Sequence, residues 1–354
     1  MKKITKYLIL ALISLFALSN LKAEEVKFIT GSYAEVLKLA KSENKIIMAD
    51  VYTEWCIWCK QLEMTVYTDP AVSEFANKNQ INWKFDAENG EGLELAKKFD
   101  IKGYPTLVFI DGDGNEVDRM YGTFTSQEFL EFIKGINSGT GTINSLKASL
   151  LKNPDDVKLN YQLSRRYENL EMSKEAEPLY KKIIALDPDN NNGYTDVAEY
   201  QLAMFNKDDA KVRLLLNKYP TSGGVKDAKI FLLEKNMEAK DIAKCQDCLN
   251  DLLKNFGTDE LVKYQIGSYY LYQASNMLRD TAKLNDDVRQ EALKAVDKSL
   301  EYFTGVFICS AMRMKSEIYY QMKNKEKALE SIKKALSIWD RDAYRKQKAK
   351  IEKL

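Results

Sequence analysis

The sequence predicts two domains of different class, an α/β domain followed by an all-α domain. Apolar runs of strand length alternate with helical patterns up to about residue 137, and beyond residue 145 the apolar spacing is helical to the end. A length of 354 residues suits two domains, and only 6 Pro and 16 Gly favour long helices. We expect the α/β domain over residues 24–138, a linker over 139–144 and a helical repeat domain over 145–354.

Charge and histidine content exclude several classes of function. Lys and Arg number 53 and Asp and Glu 52, so the chain lacks the positive charge with which nucleic-acid-binding proteins neutralise phosphates. Histidine is absent, which excludes a Ser-His-Asp triad, a Cys-His pair and a His-ligated zinc site. We expect no nucleic-acid partner, no cofactor and no metal site. The five cysteines remain as the chemical resource.

The N-terminus has the pattern of a secretory signal peptide. Three lysines precede an apolar run from Leu8 to Leu18, which is too short to span a bilayer as a helix. Ala23 offers a small residue at a cleavage position, so residues 1–23 are predicted to be removed. A retained membrane anchor is the alternative. The protein is therefore expected to be secreted across the inner membrane into the periplasm, where disulfides persist.

The α/β region is predicted to contain three apolar strands. Helical patterns lie between them, and the segment Asp111–Gly114 is predicted to form a hairpin turn after the third strand. A calcium loop is the alternative for that segment, but Glu116 and Gly122 stand where such a loop needs Gly and Glu. The predicted strands are Lys45–Tyr52, Ile81–Phe85 and Thr106–Ile110, and the predicted helices are Cys56–Val66, Ala71–Asn77 and Gly92–Phe99.

Composition predicts the linker, and a sequence repeat of 34 residues predicts the architecture of the helical region. Residues 135–142 are small, polar and rich in glycine, which is typical of a linker. Small and large residues then recur at an offset of 34, as in the pairs Ala176 and Ala210, Tyr180 and Leu214, and Asn160 and Tyr194. With a similar unit around Tyr319 to Ala335, residues 145–340 resemble the tetratricopeptide family, which implies stacked helix pairs. An unrelated helical bundle is the alternative.

A Cys-x-x-Cys motif follows the first predicted strand and opens a helix. Cys56 is placed at the helix N-terminus, where free amide groups and the helix dipole stabilise a thiolate and lower its pKa. Cys59, three residues later, lies on the same helix face and is close enough to form a disulfide. A thiolate that attacks beside a thiol that resolves constitutes a dithiol–disulfide exchange centre.

Two other interpretations of these cysteines remain open. The pair could be a static disulfide, or half of a Cys₄ zinc site with Cys245 and Cys248. We expect Cys245 and Cys248 to pack as small apolar residues, with a second redox pair as the alternative. Cys309 follows three apolar residues and is predicted to be a buried thiol.

Residues 26–137 resemble the thioredoxin superfamily. Asp50 lies six residues before Cys56, where the family has its buried acid, and Lys84 lies on the next strand, where the family has a neighbouring lysine. The segment Gly103–Thr106 matches the loop with a cis-proline that holds substrate backbone. The stretch after the motif, residues 61–75, most resembles the C-terminal periplasmic domain of the transmembrane thiol–disulfide interchange protein.

The resemblance implies roles for the site residues. Cys56, Cys59, Asp50 and Lys84 are the expected catalytic residues; burial would raise the pKa of Asp50 and suit it to move the Cys59 proton. Four neighbours are expected to bind substrate, namely Trp55, Trp58, Tyr104 and Pro105.

These observations favour a thiol–disulfide oxidoreductase. The dipeptide between the cysteines is Ile57-Trp58, which supplies no imidazolium to the thiolate, so a reductant or isomerase is favoured over an oxidant. Expected partners are protein disulfide substrates, a membrane-bound electron donor and a protein bound by the repeats. The alternatives are an interaction module in which the α/β domain is a structural cap, and copper(I) handling by the thiol pair.

Overall fold

The structure is a computed structural model that describes residues 24–279 and 284–354. The predicted signal peptide over residues 1–23 lies outside the described residues. The chain forms two compact units. The described part of the first unit comprises residues 24–53 and 62–138, and the second comprises residues 54–61 and 139–354. The short segment that contains the Cys-x-x-Cys motif therefore groups with the second unit.

The first unit contains a four-stranded sheet with the order β2-β1-β3-β4. Strand β1 pairs in parallel with β2 and antiparallel with β3, and β3 pairs antiparallel with β4. The strands are β1 Ile46–Tyr52, β2 Gln80–Asp86, β3 Thr106–Ile110 and β4 Glu116–Tyr121. The helices in this part of the chain are α1 Tyr33–Glu43, α2 Ile57–Thr65, α3 Pro70–Asn79, α4 Gly92–Lys98 and α5 Ser126–Ser138.

Both faces of the sheet are covered, because side chains alternate along each strand. On β1, Ile47, Ala49 and Val51 pack with residues of α1 and α4 in one apolar cluster. Met48 faces the opposite side and packs in a second cluster with residues of α2, α3 and α5. Alternation places Asp50 on the same face as Met48, and the side chain is buried.

The predicted fold class is confirmed. The three predicted strands and three predicted helices of the α/β region are present, with ends that shift by at most two residues, and a hairpin turn follows β3 as expected. Helices α1 and α5 and strand β4 were not singled out in the sequence. In the structure α1 buries Val36 and Ala40, and α5 buries Phe129, Ile133 and Ile136, at the spacing of one helix face.

The predicted linker is shorter in the structure. Helix α5 continues through Ser138, because Ile133 and Ile136 hold its last turns in the core. The next helix begins at Ile143, where the Thr142 side chain accepts a hydrogen bond from the backbone N–H of Ser145. Irregular chain is thus confined to residues 139–142.

The second unit is helical over nearly all of its described residues. Helices that are neighbours in the sequence pack against each other, in keeping with the tetratricopeptide-like prediction. A single 3₁₀ turn, Gly305–Phe307, precedes α15. The helices are α6 Ile143–Lys152, α7 Val157–Asn169, α8 Ser173–Leu186, α9 Thr195–Phe205, α10 Asp209–Lys218, α11 Val225–Glu238, α12 Ile242–Phe256, α13 Glu260–Arg279, α14 Asp286–Leu300, α15 Ile308–Gln321, α16 Lys325–Ile338 and α17 Asp342–Glu352.

The turns between paired helices repeat one backbone conformation. Glu171, Lys207, Lys240 and Lys323 each adopt a left-handed conformation, with φ between 54° and 59°. Each lies between the two helices of a pair, where a left-handed residue ends the first helix and lets the chain reverse. The repeat is thus visible in the turns as well as in the apolar spacing.

Within residues 24–279 and 284–354, no helix combines the length and apolar content needed to cross a membrane.

Gly92 lies where α4 meets the end of β2, and a side chain there should destabilise the first unit. A Cβ atom at this position would lie 1.8 Å from the backbone oxygen of Asp86. We expect Gly92→Ala to lower the free energy of unfolding by about 2 kcal/mol, since backbone must move to relieve the overlap. Urea unfolding would measure it, with Glu94→Ala on the same helix as control. A loss no larger than that of the control would contradict the close approach.

Candidate functional site

Cys56 and Cys59 form a disulfide. Their Cα atoms are 5.3 Å apart and the S–S bond is 2.07 Å. Both residues are buried, with 4% and 5% of their surface exposed. The structure therefore joins the two cysteines that the sequence predicted as a redox pair.

The first turn of α2 directs backbone donors at Cys56. The N–H of Cys59 donates a hydrogen bond to Cys56 Sγ at 3.0 Å, and the N–H of Lys60 donates to the Cys56 carbonyl at 3.2 Å. Cys56 immediately precedes Ile57, the first helical residue. After reduction, an amide donor and the positive end of the helix dipole would stabilise a Cys56 thiolate.

The two tryptophans beside the disulfide have different surroundings. Trp55 is 53% exposed. Trp58 packs in the second unit, where its ring meets Tyr264 and Phe307 edge-on at centroid distances of 4.4 and 4.6 Å. Trp55 is thus the more accessible aromatic surface beside Cys56, while the Trp58 ring is held by aromatic contacts. Their expected roles in substrate binding stay predictions.

Asp50 and Lys84 lie opposite each other on β1 and β2. Asp50 is 2% exposed, and its burial raises the pKa of its carboxyl to about 7. The Lys84 Nζ lies 3.0 Å from Glu63 Oε1. Burial acts to lower the pKa of Lys84, but the Glu63 carboxylate outweighs it and the net pKa is raised. The buried acid and the neighbouring lysine are therefore both where the sequence placed them on the sheet.

Two further residues of this site, Glu63 and Tyr67, were missed in the sequence. Glu63 lies on α2 and binds Lys84, and the electrostatic effect of its carboxylate also raises the pKa of Asp50. The Tyr67 hydroxyl is buried, and its interaction with the Asp50 carboxyl acts to lower the pKa of Asp50 against the larger effect of burial. Glu63 is seven residues after Cys56, two helical turns along, which is the one signal that could have indicated its face.

The Tyr104-Pro105 bond is cis, as the loop resemblance implies. Pro105 is buried and Tyr104 is partly exposed. The loop is held by the Thr106 hydroxyl, which donates to the Gly103 carbonyl at 2.8 Å, and by the N–H of Gly122, which donates to the Pro105 carbonyl at 3.1 Å. Its expected role in binding substrate stays a prediction.

The other three cysteines are free thiols. Cys245 and Cys309 are buried, as predicted, and Cys248 is partly exposed and accepts a hydrogen bond from Asn236 Nδ2 at 3.4 Å. Burial raises the pKa of all three thiols, that of Cys309 to about 11. Their surroundings disfavour the thiolate, in contrast to the helix N-terminus at Cys56.

Comparison with known families agrees with this geometry. A family model described as a thioredoxin-like domain matches residues 33–137. This part of the chain is a thioredoxin-like domain. The resemblance predicted for residues 26–137 is thereby confirmed.

The thioredoxin-like domain is similar to part of two longer proteins. The thiol:disulfide interchange protein DsbD of Yersinia pestis is 34% identical over 99 residues, which are 27% of this chain and 17% of that protein. DsbD of Haemophilus influenzae is 29% identical over 126 residues, which are 34% of this chain and 22% of that protein. The chain thus covers less than a quarter of the length of these two relatives.

Two solved structures are similar to different parts of the chain. The solution structure of a proposed disulphide isomerase from Bacteroides thetaiotaomicron is 38% identical and covers 32% of this chain and 94% of its own, with a TM-score of 0.31. A tetratricopeptide repeat protein from Parabacteroides merdae is 12% identical and covers 64% of this chain and 80% of its own, with a TM-score of 0.36.

In the reduced protein, Cys56 should be the thiol that reacts first with an alkylating reagent. The amide donor and the helix N-terminus favour its thiolate, whereas burial raises the pKa of Cys245, Cys248 and Cys309. Brief alkylation at pH 7 followed by peptide mapping would give the order of labelling. Labelling of Cys245 before Cys56 would place the reactive thiol in the repeats instead.

The raised pKa of Asp50 should make stability depend on pH. The folded carboxyl has a pKa of about 7, above the value of about 3.9 in an unfolded chain, so the folded protein binds the extra proton in between. Relative to Asp50→Asn, the wild type should therefore lose roughly 4 kcal/mol of unfolding free energy between pH 4 and pH 8. Urea unfolding of the oxidised proteins across this range would measure the difference.

The exposed Glu131→Gln on α5 is the control for the Asp50 experiment. Its stability should follow that of the wild type at each pH. A difference between wild type and Asp50→Asn that stays constant from pH 4 to pH 8 would show that Asp50 has an ordinary pKa.

Proposed function

We propose that this protein is a thiol–disulfide oxidoreductase that acts as a reductant or isomerase through Cys56 and Cys59. The observation that carries the proposal is the disulfide at the N-terminus of α2, in a thioredoxin-like domain, with an amide donor directed at Cys56 Sγ. The names of the relatives in the comparison support it, because thiol–disulfide interchange is the activity that DsbD is named for.

The proposed reaction transfers two electrons from the protein dithiol to a substrate disulfide. The Cys56 thiolate attacks one substrate sulfur, the substrate S–S bond breaks, and the leaving thiolate takes a proton. Cys59 then loses its proton and attacks Cys56 Sγ. The mixed disulfide breaks, the second substrate thiol leaves, and the Cys56–Cys59 disulfide forms. A dithiol donor restores the reduced protein by the same exchange.

Asp50 is proposed to take the proton from Cys59 in the second step. A carboxyl whose pKa is about 7 is present in both protonation states near neutral pH, which suits proton transfer. Lys84 and Glu63 form an ion pair on the neighbouring strand and helix. The negative charge of Glu63 raises the pKa of the Asp50 carboxyl, and the positive charge of Lys84 lowers it. Lys84 is proposed as part of this proton-transfer site.

Substrate binding is proposed to involve Trp55, Trp58, Tyr104 and Pro105. Trp55 supports this role by its exposure, and Pro105 by its position in the loop after Gly103. The direction of exchange rests on Ile57 and Trp58, since neither residue adds positive charge to stabilise the Cys56 thiolate as a strong oxidant requires.

The N-terminal pattern and the disulfide also suggest where the protein works and what it binds. We propose that the protein works in the periplasm, because the pattern of residues 1–23 is typical of a secretory signal and a disulfide persists in that compartment. Its substrates would be protein disulfides, its electrons would come from a membrane-bound donor, and the helical repeats would bind a protein partner.

A second candidate function is a protein-interaction module in which the thioredoxin-like domain is a structural cap. The burial of both cysteines favours it, since a redox disulfide must be reached by its substrate. The two functions differ in whether Cys56 forms covalent adducts with other proteins.

Cys59→Ser should trap substrates on Cys56. Without the resolving thiol, the mixed disulfide persists and should migrate as a reducible species of higher mass on a non-reducing gel. Cys56→Ser should abolish these adducts, because it removes the attacking thiolate. Peptide sequencing of the trapped species would identify the protein substrates.

The matched control replaces both Cys245 and Cys248 with Ser in the Cys59→Ser background. The adducts should remain, since these thiols are proposed only to pack. Adducts that survive Cys56→Ser but disappear with the Cys245 and Cys248 changes would move the redox centre to the repeats. An absence of adducts in all variants would favour the interaction module.

A further inference from the structure

The second unit contains an open cavity beside the redox motif. Its volume is about 620 Å³, and two of its lining residues, Trp55 and Ile57, flank Cys56 in the sequence. The remaining lining residues come from α13 and from the region of α15 and α17. We call this space the Arg313 cavity. A molecule bound in it would contact the residues on either side of the attacking sulfur.

The lining residues of the Arg313 cavity form regular helix faces. On α15 six lining residues between Ser310 and Gln321 follow the i, i+3, i+4, i+7 spacing of one helix face. Leu271 and Leu278 on α13 are seven residues apart and so share a face. Alternate helices of the repeat array thus supply the lining, while α14 and α16 contribute none of it.

The segment that carries the cysteines is anchored in the same unit. Trp58 packs against Tyr264 on α13 and against Phe307, which immediately precedes α15. Ile57 packs against the same apolar cluster as Trp58. These contacts hold the first turn of α2 at the rim of the cavity, so the repeats and the redox motif together define its shape.

The floor of the Arg313 cavity is apolar and its charge is mainly positive. Leu271, Leu278, Met314 and Ile318 supply the apolar surface. Glu317 is the lining carboxylate, and it pairs with Lys350 at 3.4 Å. This pairing leaves the charge of the two lining arginines dominant.

Neither arginine has a carboxylate partner within the described ranges 24–279 and 284–354. Arg313 is exposed. The Arg341 guanidinium lies over the rings of Trp339 and Tyr344, at 4.6 and 5.3 Å from their centroids, in cation–π contact with both. Two guanidinium groups without an internal counter-charge, beside an apolar floor, are suited to an acidic side chain on a partly apolar peptide.

We propose that the Arg313 cavity binds an extended segment of the substrate protein that carries apolar residues and an Asp or Glu near its disulfide cysteine. The carboxylate of that residue pairs with Arg313 and Arg341, and the apolar side chains cover Leu271 and Met314. This proposal rests on the proposed oxidoreductase function. In this proposal the helical repeats determine which substrate is bound.

The bound segment is reduced by thiol–disulfide exchange. With the carboxylate held at Arg313, the substrate sulfur lies near Trp55 and is attacked by the Cys56 thiolate. Cys56 gains a bond to that sulfur and the substrate S–S bond breaks, and the leaving thiolate takes a proton. Cys59 then closes the protein disulfide and releases the peptide thiol, so that two electrons pass from the protein to the substrate.

Matched peptide disulfides test the proposal in the full-length protein. Each peptide is uncharged apart from one Asp or, in its partner, one Asn, and its cysteine carries a neutral 2-thiopyridyl group whose release as pyridine-2-thione is followed by absorbance. The protein is reduced and freed of reductant beforehand, and the rate of a single turnover is measured against peptide concentration. The rate with Cys56→Ser is subtracted as background.

The Asp peptide should reach half-saturation at a concentration about tenfold below that of the Asn peptide, as a charge-assisted pair implies. Arg313→Gln should remove most of this difference by raising the half-saturation for the Asp peptide alone. Arg313→Lys should retain part of it, because the charge remains and the planar fork is lost. Added salt should reduce the preference in the wild type.

Arg345→Gln is the matched control. Arg345 lies on α17 and pairs with Asp340 at 2.8 Å, and it is not among the lining residues. Its replacement should leave both half-saturation values unchanged. Equal half-saturation of the two peptides by the wild type, or an equal effect of Arg313→Gln on both, would overturn the cavity proposal while the oxidoreductase function stands. If neither peptide is reduced, both proposals fail.

Discussion

Strand β1 is hydrogen-bonded on both edges, to β2 in parallel and to β3 in the opposite direction, and the first unit is organised around it. Its residues between Ile47 and Val51 are buried, so each side chain is committed to one face of the sheet. Asp50 is the one ionisable residue among them. Burial of a carboxylate costs free energy, and the raised pKa of Asp50 is caused mainly by that cost. An apolar residue here would give a more stable strand, which is why a proton-transfer role is the natural explanation for the acid.

The few residues between β1 and α2 link this strand to the redox pair. The chain leaves the sheet at Tyr52 and enters the helix at Ile57, so Cys56 falls at the helix N-terminus. That position supplies the amide donor to its sulfur, and the helical spacing brings Cys59 to the same side. The reactivity proposed for Cys56 is therefore a product of backbone geometry, in a chain without a single histidine to assist it.

The repeats give the motif a second set of neighbours. Trp58 is held by Tyr264 and Phe307, and Trp55 and Ile57 line a cavity with the helices α13, α15 and α17. The substrate specificity of a redox centre in this position can depend on residues that are distant from it in the sequence.

Local chemistry was determined by the sequence itself. The position of Cys56 after an apolar strand, the strand and helix order and the period of 34 residues are readable from spacing, since strand alternation and helix faces repeat over a few residues. The buried acid at Asp50 was implied by the family resemblance. The tertiary structure alone decided which distant faces meet. The pairing of Lys84 with Glu63, the contacts of Trp58 and the cavity with Arg313 and Arg341 join residues from separate elements. Spacing shows that a side chain faces inward, but the partner it meets depends on how whole helices and strands pack, which no local pattern encodes.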